Sequence, residues 1–534
     1  MNSISTSRWQ ALIDRYGLHF ILGMGTILTF SALLKFPFCY EDAYITFRYA
    51  QRLSEGLGFT YNDSIRTLGT TTPLFTIILA GLAKISSPDY IPEIARVIGS
   101  ICYLISAFLI HKIVLKMSGS RFTAFLAGLI YVCYPPSVAS ATSGMEIPVF
   151  ICLSLLSYYL ILEKRMLLGG ITVGILLAIR PDGLVWALAL SLLLWNRLRQ
   201  LQKFILGFIL MAIPLYAALS IYFGNPVPLS IIAKRISYAP YHPIDFQNLL
   251  RVLGIFLPAQ VGFNNVATIA IWLAVIVIIT YSLKNSVKAK DYSITPAIGF
   301  VLLYAAFLWL GRARAFRWYG FPVFPMLLIA LFHSGHHYFK NHRFGQLLRR
   351  ATMAGIIILT ALCAGYVLLA SQSERLQAMQ ALEARAFYFR DHTPPEAKIF
   401  LEPIAQVGYY SGRYIICEIG LVSPEVVEIK KAFSSELTKN CKWYFEVLRK
   451  FKPDYLMLTS SYFDRNRLFP YEEPTFFSDA DDSDYFFSHY EAIDLKLELA
   501  EDEIKRLKAK EIYVYKRKVS KDPIWPIEMI IRNR

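Results

Sequence analysis

Eleven apolar stretches of helix length run through this sequence and leave it few folds. They lie near 18–36, 93–112, 121–138, 145–162, 166–180, 184–196, 203–223, 263–283, 294–311, 316–333 and 351–371. A helix needs about 20 apolar residues to span the hydrocarbon core of a bilayer, fewer where it is short or partly interfacial. No water is available there to satisfy backbone polar groups, so the form that spans is the helix, whose hydrogen bonds close on themselves. Charge is correspondingly scarce. Only 18% of the 534 residues are Asp, Glu, Lys or Arg and 55% are hydrophobic, against about 25% charged in a soluble domain. A soluble globular chain, a disordered chain and a disulfide scaffold are excluded.

The remaining charge is unevenly spread. Residues 1–371 hold 30 Lys and Arg against 12 Asp and Glu, a net of +18, whereas 372–534 hold 25 against 27, a net of −2. Every second connection is basic: Lys112, Lys116 and Arg121; Lys164 and Arg165; Arg197, Arg199 and Lys203; Lys284, Lys288 and Lys290; Lys340, Arg343, Arg349 and Arg350. The positive-inside bias places these loops in the cytoplasm, Met1 inside and the tail outside. This alternation holds only if the stretch 72–87 does not cross, and it reads as an interfacial or re-entrant helix. Positives scattered between apolar runs argue against a nucleic-acid partner. The first run continues into Lys35-Phe-Pro-Phe-Cys-Tyr40 with no small-residue cleavage pattern, so it reads as a retained anchor. The expected architecture is a polytopic α-helical membrane protein with about eleven transmembrane helices over 1–371, a first outer loop at 37–92, and a soluble α/β domain over 372–534 on the outer side.

Within that domain, 398–402, 414–417, 454–458 and 511–515 read as strands, with a helix near 437–451. The segment 476–490, rich in Asp, Phe and Tyr, reads as an exposed loop. Cys417 and Cys441 both fall in the tail, where an oxidising compartment would permit a disulfide.

Of the twelve acids in 1–371, nine face outward on this topology, and five of those nine lie in the first outer loop. None sits in mid-span, which argues against an ion-coupled transporter. Glu41 and Asp42 stand where the first run leaves the bilayer and open a helix in which Ile45, Tyr49 and Leu53 recur every four residues beside Arg48 and Arg52. Asp42 reads as a helix N-cap and equally as half of an acid pair at the membrane–water boundary; one side chain can serve both. Hard cations favour carboxylate oxygens, so a divalent ion at Glu41 and Asp42 is compatible with the pair, though two acids are a thin ligand set and no cofactor is certain.

The run Glu41-Asp-Ala-Tyr-Ile-Thr-Phe-Arg-Tyr-Ala50, followed by Gly56-Leu-Gly-Phe-Thr-Tyr-Asn62 and Thr72-Pro-Leu-Phe75, resembles the first outer loop of GT-C membrane glycosyltransferases. It is most similar to the branch holding the terminal arabinofuranosyltransferases. Ser143-Gly-Met-Glu146, Arg180-Pro-Asp-Gly183, Gly224-Asn-Pro-Val-Pro228 with Lys234, and Arg317-Trp-Tyr-Gly-Phe-Pro322 add to the resemblance, as do Gly408-Tyr-Tyr-Ser-Gly-Arg413 and Gly420-Leu-Val-Ser-Pro424. The matches run in order from about 40 to 424. The chain departs from the pattern at Glu41, where the family has Asp, and at Leu68, where an acidic residue is usual, so acceptor specificity does not carry over.

The resemblance implies a multi-pass enzyme of the bacterial inner membrane that moves a sugar from a polyprenyl-phosphate donor to a glycan or lipid acceptor of the cell envelope. The site and the tail would face the periplasm. Such a transfer needs a base for the acceptor hydroxyl and cations for the departing phosphate. Asp42 is the expected base, with Glu41 orienting or tuning it. Lys234 and Arg317 lead the candidates for the donor phosphate, followed by Arg180 and Arg235; each reads equally as a headgroup anchor. Arg48, Thr72, Glu146 and His242 are candidate substrate contacts; Glu146 reads equally as a cap, and His242 reads first as a satisfied loop residue. The alternative is a lipid-linked oligosaccharide flippase or ligase without sugar-phosphate donor chemistry. A flippase calls for polar residues along a crossing path, and here the charges sit at span ends.

Overall fold

A computed structural model describes residues 2–63, 65–257, 265–289, 291–341, 355, 358, 360–369, 373–459, 476–493 and 512–518. In chain order it contains α1 (Asn2–Lys35), α2 (Ala43–Ser54), α3 (Pro73–Ile85), α4 (Ile91–Ser118), α5 (Arg121–Cys133), α6 (Pro135–Ala141) and α7 (Ile147–Leu162). There follow α8 (Met166–Ile179), α9 (Gly183–Leu194), α10 (Leu198–Phe223), α11 (Leu229–Tyr238), α12 (Phe246–Gly254), α13 (Asn265–Ala289), α14 (Thr295–Leu310), α15 (Val323–Asn341) and α16 (Thr360–Leu369). The tail holds α17 (Ser373–His392), β1 (Lys398–Leu401), α18 (Ala405–Ser411), β2 (Tyr414–Cys417), α19 (Pro424–Ala432) and α20 (Lys442–Phe451). It ends with β3 (Tyr455–Thr459), α21 (Ala480–His489), β4 (Tyr490–Ile493) and β5 (Ile512–Arg517).

Each apolar run read from the sequence contains helix where it is described. Among the described residues four helices are long and apolar enough to cross a membrane: Ala11–Lys35, Pro88–Ser118, Leu198–Phe223 and Arg317–Gly335. The pair α5–α6, bent by 64°, makes a fifth if it is one span. The other apolar helices have 10–17 residues, so length alone does not reach the expected eleven. Local chemistry accounts for the shortness. Tyr134 is extended, as a residue before proline prefers, and Pro135 breaks the run behind it; Asp182 and Trp195 bound the 12 residues of α9.

The chain divides into two compact units. The first comprises Met1–Ala43, Thr71–Gly224 and Ile244–Gln372. Its helices approach closely where side chains are absent: a Cβ on Gly170 of α8 would fall 2.0 Å from the Phe204 carbonyl oxygen, and one on Gly207 of α10 would fall 2.2 Å from that of Leu167. Small residues that let two backbones touch are how apolar helices pack without a hydrophobic driving force. Trp186 of α9 knits its neighbours together, donating to Ser157 Oγ of α7 at 2.8 Å and meeting the Phe300 ring of α14 at 5.4 Å.

The second unit comprises Tyr44–Thr70, Asn225–Pro243 and Ser373–Arg534. Its five-stranded sheet has the order β2-β1-β3-β5-β4, with β1 parallel to β2 and β3, and β5 antiparallel to β3 and β4. The four expected strands are β1, β2, β3 and β5; β4 is additional. Segment 476–490 departs from its expected role as an exposed loop. Asp479 accepts the Asp482 amide at 3.0 Å and caps α21, whose acidic first turn suits a helix N-terminus. Phe476, Phe486 and Tyr490 are buried with Tyr444, Phe445 and Tyr515 in the sheet's core. Cys417 and Cys441 are both free, buried thiols rather than a disulfide. Burial pushes the Cys441 thiol up to about 12.

Two segments distant in sequence complete this unit. Asn62 pairs with β2 as a neighbouring strand would, donating to the Ile415 carbonyl at 2.8 Å and accepting its amide at 3.0 Å. The Tyr61 hydroxyl donates to the Ile404 carbonyl at 3.0 Å, and Gly408 makes room for it, since a Cβ there would lie 2.2 Å from that oxygen.

Candidate active site

Glu41 and Asp42 form the turn between α1 and α2, both half-buried. The end of an apolar helix leaves carbonyls without intrahelical partners, and here one guanidinium gathers them. Arg96 of α4, 7% exposed, donates to Leu33 at 3.2 Å, Phe36 at 2.5 Å and Pro37 at 2.9 Å, and to Thr142 at 3.3 Å. The Tyr40 amide then donates to the Ser143 carbonyl at 2.8 Å, and the Ala43 amide closes the turn onto the Tyr40 carbonyl at 3.0 Å. Ser143 turns the chain with Gly144 at φ 74°, and its hydroxyl accepts the Met145 amide at 3.1 Å. The backbone leading into the acid pair is therefore tied to one region, the 142–143 turn, and Ala43 closes the turn behind the pair. Arg96 did not stand out in the sequence; the available signal was a guanidinium inside an otherwise apolar helix.

Ser143-Gly-Met-Glu146 leads into a second constellation. Arg180 ends α8 in extended conformation and its Nη2 lies 2.8 Å from Asp182 Oδ2, while its Nη1 pairs with Glu146. The Tyr304 hydroxyl donates to the same Asp182 oxygen at 3.1 Å, and the guanidinium lies 5.9 Å from the ring centroids of both Phe150 and Tyr319. A buried guanidinium needs such countercharge. Arg180 and Glu146, the candidates for a donor phosphate and a substrate contact, hold each other.

Arg48 is likewise tied into the fold. Its guanidinium is buried and donates to the carbonyls of Tyr61 at 2.9 Å, Gly412 at 3.3 Å, Arg413 at 3.0 Å and Gly408, so it fastens α2 to the tail. Thr72 is buried at the N-cap position of α3, where its carbonyl accepts the Thr76 hydroxyl at 2.9 Å. His242 is half-buried behind a short turn, its amide donating to Ala239 at 3.2 Å.

Arg317 and Arg235 are exposed and Lys234 is half-buried. Arg317 opens the turn Arg317–Gly320, where Phe316 and Trp318 stack at 4.5 Å and Arg314 covers the Phe316 ring at 5.1 Å. Lys234 and Arg235 lie on α11, whose first amide donates to the Leu68 carbonyl at 2.7 Å. The structure brings Arg180 together with Glu146; Arg317 and Lys234 belong to different units. Among the described residues no group of three or more His, Cys, Asp or Glu side chains is placed to hold a metal.

Comparison with curated proteins finds no match. A family model described as a domain of unknown function (DUF8728) matches residues 370–515. Among solved structures the chain is similar to ArnT from Cupriavidus metallidurans bound to undecaprenyl phosphate, with 10% identity and a TM-score of 0.57 over 96% of this chain and 100% of that one. It is also similar to the Archaeoglobus fulgidus oligosaccharyltransferase in its apo form (11% identity, TM-score 0.54, 89% of this chain and 73% of that one). A third likeness is to AglB from Archaeoglobus fulgidus in complex with an inhibitory peptide and a dolichol-phosphate (11% identity, TM-score 0.54, 96% and 76%). At these identities the likeness is one of fold: the chain has the GT-C fold.

Proposed function

We propose that this protein is a membrane glycosyltransferase that moves one sugar, with inversion, from a polyprenyl-phosphate donor to a cell-envelope glycan or lipid on the outer face of a bacterial inner membrane. In this reading the shorter apolar helices complete about eleven spans over 1–371, and 372–534 lie outside. The observation that carries it is the Glu41–Asp42 turn, clamped at the exit of the first apolar helix by Arg96 and by the Tyr40–Ser143 hydrogen bond. A general base must be held in one direction, and this turn has little freedom.

The Asp42 carboxylate takes the proton of the acceptor hydroxyl as its oxygen bonds to the anomeric carbon. The bond from that carbon to the phosphate oxygen breaks, and its electron pair leaves with the polyprenyl phosphate. Glu41 orients Asp42. Arg317, Lys234 and Arg235 are the cations offered to the leaving phosphate, Arg through bidentate contacts and Lys as a point charge. The lipid donor is supported by the two similar structures that hold undecaprenyl phosphate and dolichol-phosphate. The likeness to an oligosaccharyltransferase supports a second reading, transfer of a preassembled oligosaccharide, which differs in adding many sugars at once.

Asp42→Asn in the full chain tests the reading by profiling envelope glycans and by turnover of purified enzyme. A general base contributes about 10²–10⁴ in rate, so only a trace of transfer should remain while melting behaviour is unchanged. Undiminished transfer would remove Asp42 from the mechanism.

A further inference from the structure

We propose that Lys430 is a positioning residue through which the C-terminal module sets α11, and with it Lys234, in place for the donor phosphate. The inference rests on the function proposed above and gives the module that matches a domain of unknown function a part in it.

The buried positions of α11 are Ser230, Ala233 and Ser237, spaced three and four apart, and the helix packs on α19. One charge lies along that seam. Lys430 of α19 is 4% exposed, donates from Nζ to Ser237 Oγ at 3.0 Å and sits 4.0 Å from the Trp443 ring centroid. The Ser237 hydroxyl donates in turn to the Ile419 carbonyl at 3.4 Å. Just beyond α11 the Tyr241 hydroxyl donates to Leu437 at 2.6 Å, and Ile236 packs on the aromatic core of the tail. An ammonium taken out of water is costly unless its protons are accepted, and the indole face answers only part of that cost. Ser237 supplies an acceptor, so displacing α11 would take from the buried ammonium a hydrogen-bond partner it has. Lys234 lies one turn before Ser237 on that helix. The acids around the ammonium, Glu418 and Glu402, belong to the tail and leave the link to α11 to the hydroxyl.

The test uses the full chain with Lys430→Met, with Ser237→Ala as a milder cut of the same link and Ser237→Thr as the conservative control. Amides of 229–238 should exchange hydrogen about tenfold faster, equivalent to about 1.4 kcal/mol, in the first two variants. KM for a polyprenyl-phosphate sugar should rise by about the same factor while kcat and the acceptor KM stay within about twofold, and Thr should restore both readouts. Unchanged exchange in both variants overturns the positioning. Faster exchange with an unaltered donor KM also overturns it, and Lys234→Ala then locates the failure. If that variant leaves donor KM unchanged, the phosphate role of Lys234 has failed; if it raises donor KM, the link through Lys430 alone has failed.

Discussion

Glu418→Gln should stabilise the protein at pH 8 and remove a pH dependence that the wild type shows. Glu418 follows β2 and is 9% exposed. Burial pushes its carboxyl from 4.5 up to about 7, with Lys430 pulling the other way. The folded chain keeps this proton over a range in which the unfolded chain has released it. Stability from this group is therefore present in full below pH 4.5, falls as pH rises, and is lost by pH 7, above which both states are ionised. Raising a carboxyl by that much corresponds to about 3 kcal/mol. Gln mimics the protonated form at every pH, so the variant should gain up to that amount at pH 8 and nothing near pH 4.5. For a unit of this size the gain corresponds to ~6–12 °C in melting temperature. The assay is thermal melting of the full chain in detergent, followed by intrinsic fluorescence at several pH values between 5 and 8. The wild-type-minus-variant difference isolates Glu418 from other titrating groups. A difference that does not change with pH, or one that grows as pH falls, would refute the reasoning.

Two further perturbations test the membrane unit. Arg180→Met leaves Glu146 buried and Asp182 half-buried as like charges, and should cost about 3–5 kcal/mol in stability, most of it recovered when Glu146→Gln and Asp182→Asn are added; recovery absent on melting would mean the triad is not what destabilises the variant. Gly207→Leu places a side chain where the Leu167 carbonyl oxygen stands 2.2 Å from a Cβ, so α8 and α10 must separate. The expected result is loss of monodisperse protein on size exclusion, with Gly23→Leu, which has open space around it, as the tolerated control.

The apolar helices were legible because a run of about bilayer length is a signal confined to its own residues. So were four strands of the tail, each a short hydrophobic run between turn residues. What escaped needed information from elsewhere in the chain. The Asp-rich 479–484 stretch looks solvated by composition, yet Phe486 and Tyr490, four apart, turn one face of α21 and the start of β4 into core. The membership of 44–70 and 225–243 in the same unit as the tail is written in contacts such as Asn62 to Ile415, which no local pattern announces. Cys417 and Cys441 invited a disulfide by compartment and number alone, which says nothing about where each thiol is buried. Arg48 and Glu146 were singled out as substrate contacts because they lie in shared motifs, and the structure adds what a motif does not carry, the partners that each holds within the fold.

Burial draws that distinction for the cations. Arg48 and Arg96 are surrounded by carbonyl oxygens, Arg180 by two carboxylates, and Lys430 by a hydroxyl and an indole face. An anion arriving at any of them must displace a partner already present in a desolvated setting, where removing one member of a pair is costly. Arg317 and Arg235 stand at the surface. The Arg317 turn also carries the stacked Phe316–Trp318 pair, a rigid apolar plane beside the guanidinium. Among the cations named from sequence, Arg317 and Arg235 are exposed and Lys234 is half-buried, whereas the charge of Arg180 is already balanced from within the fold.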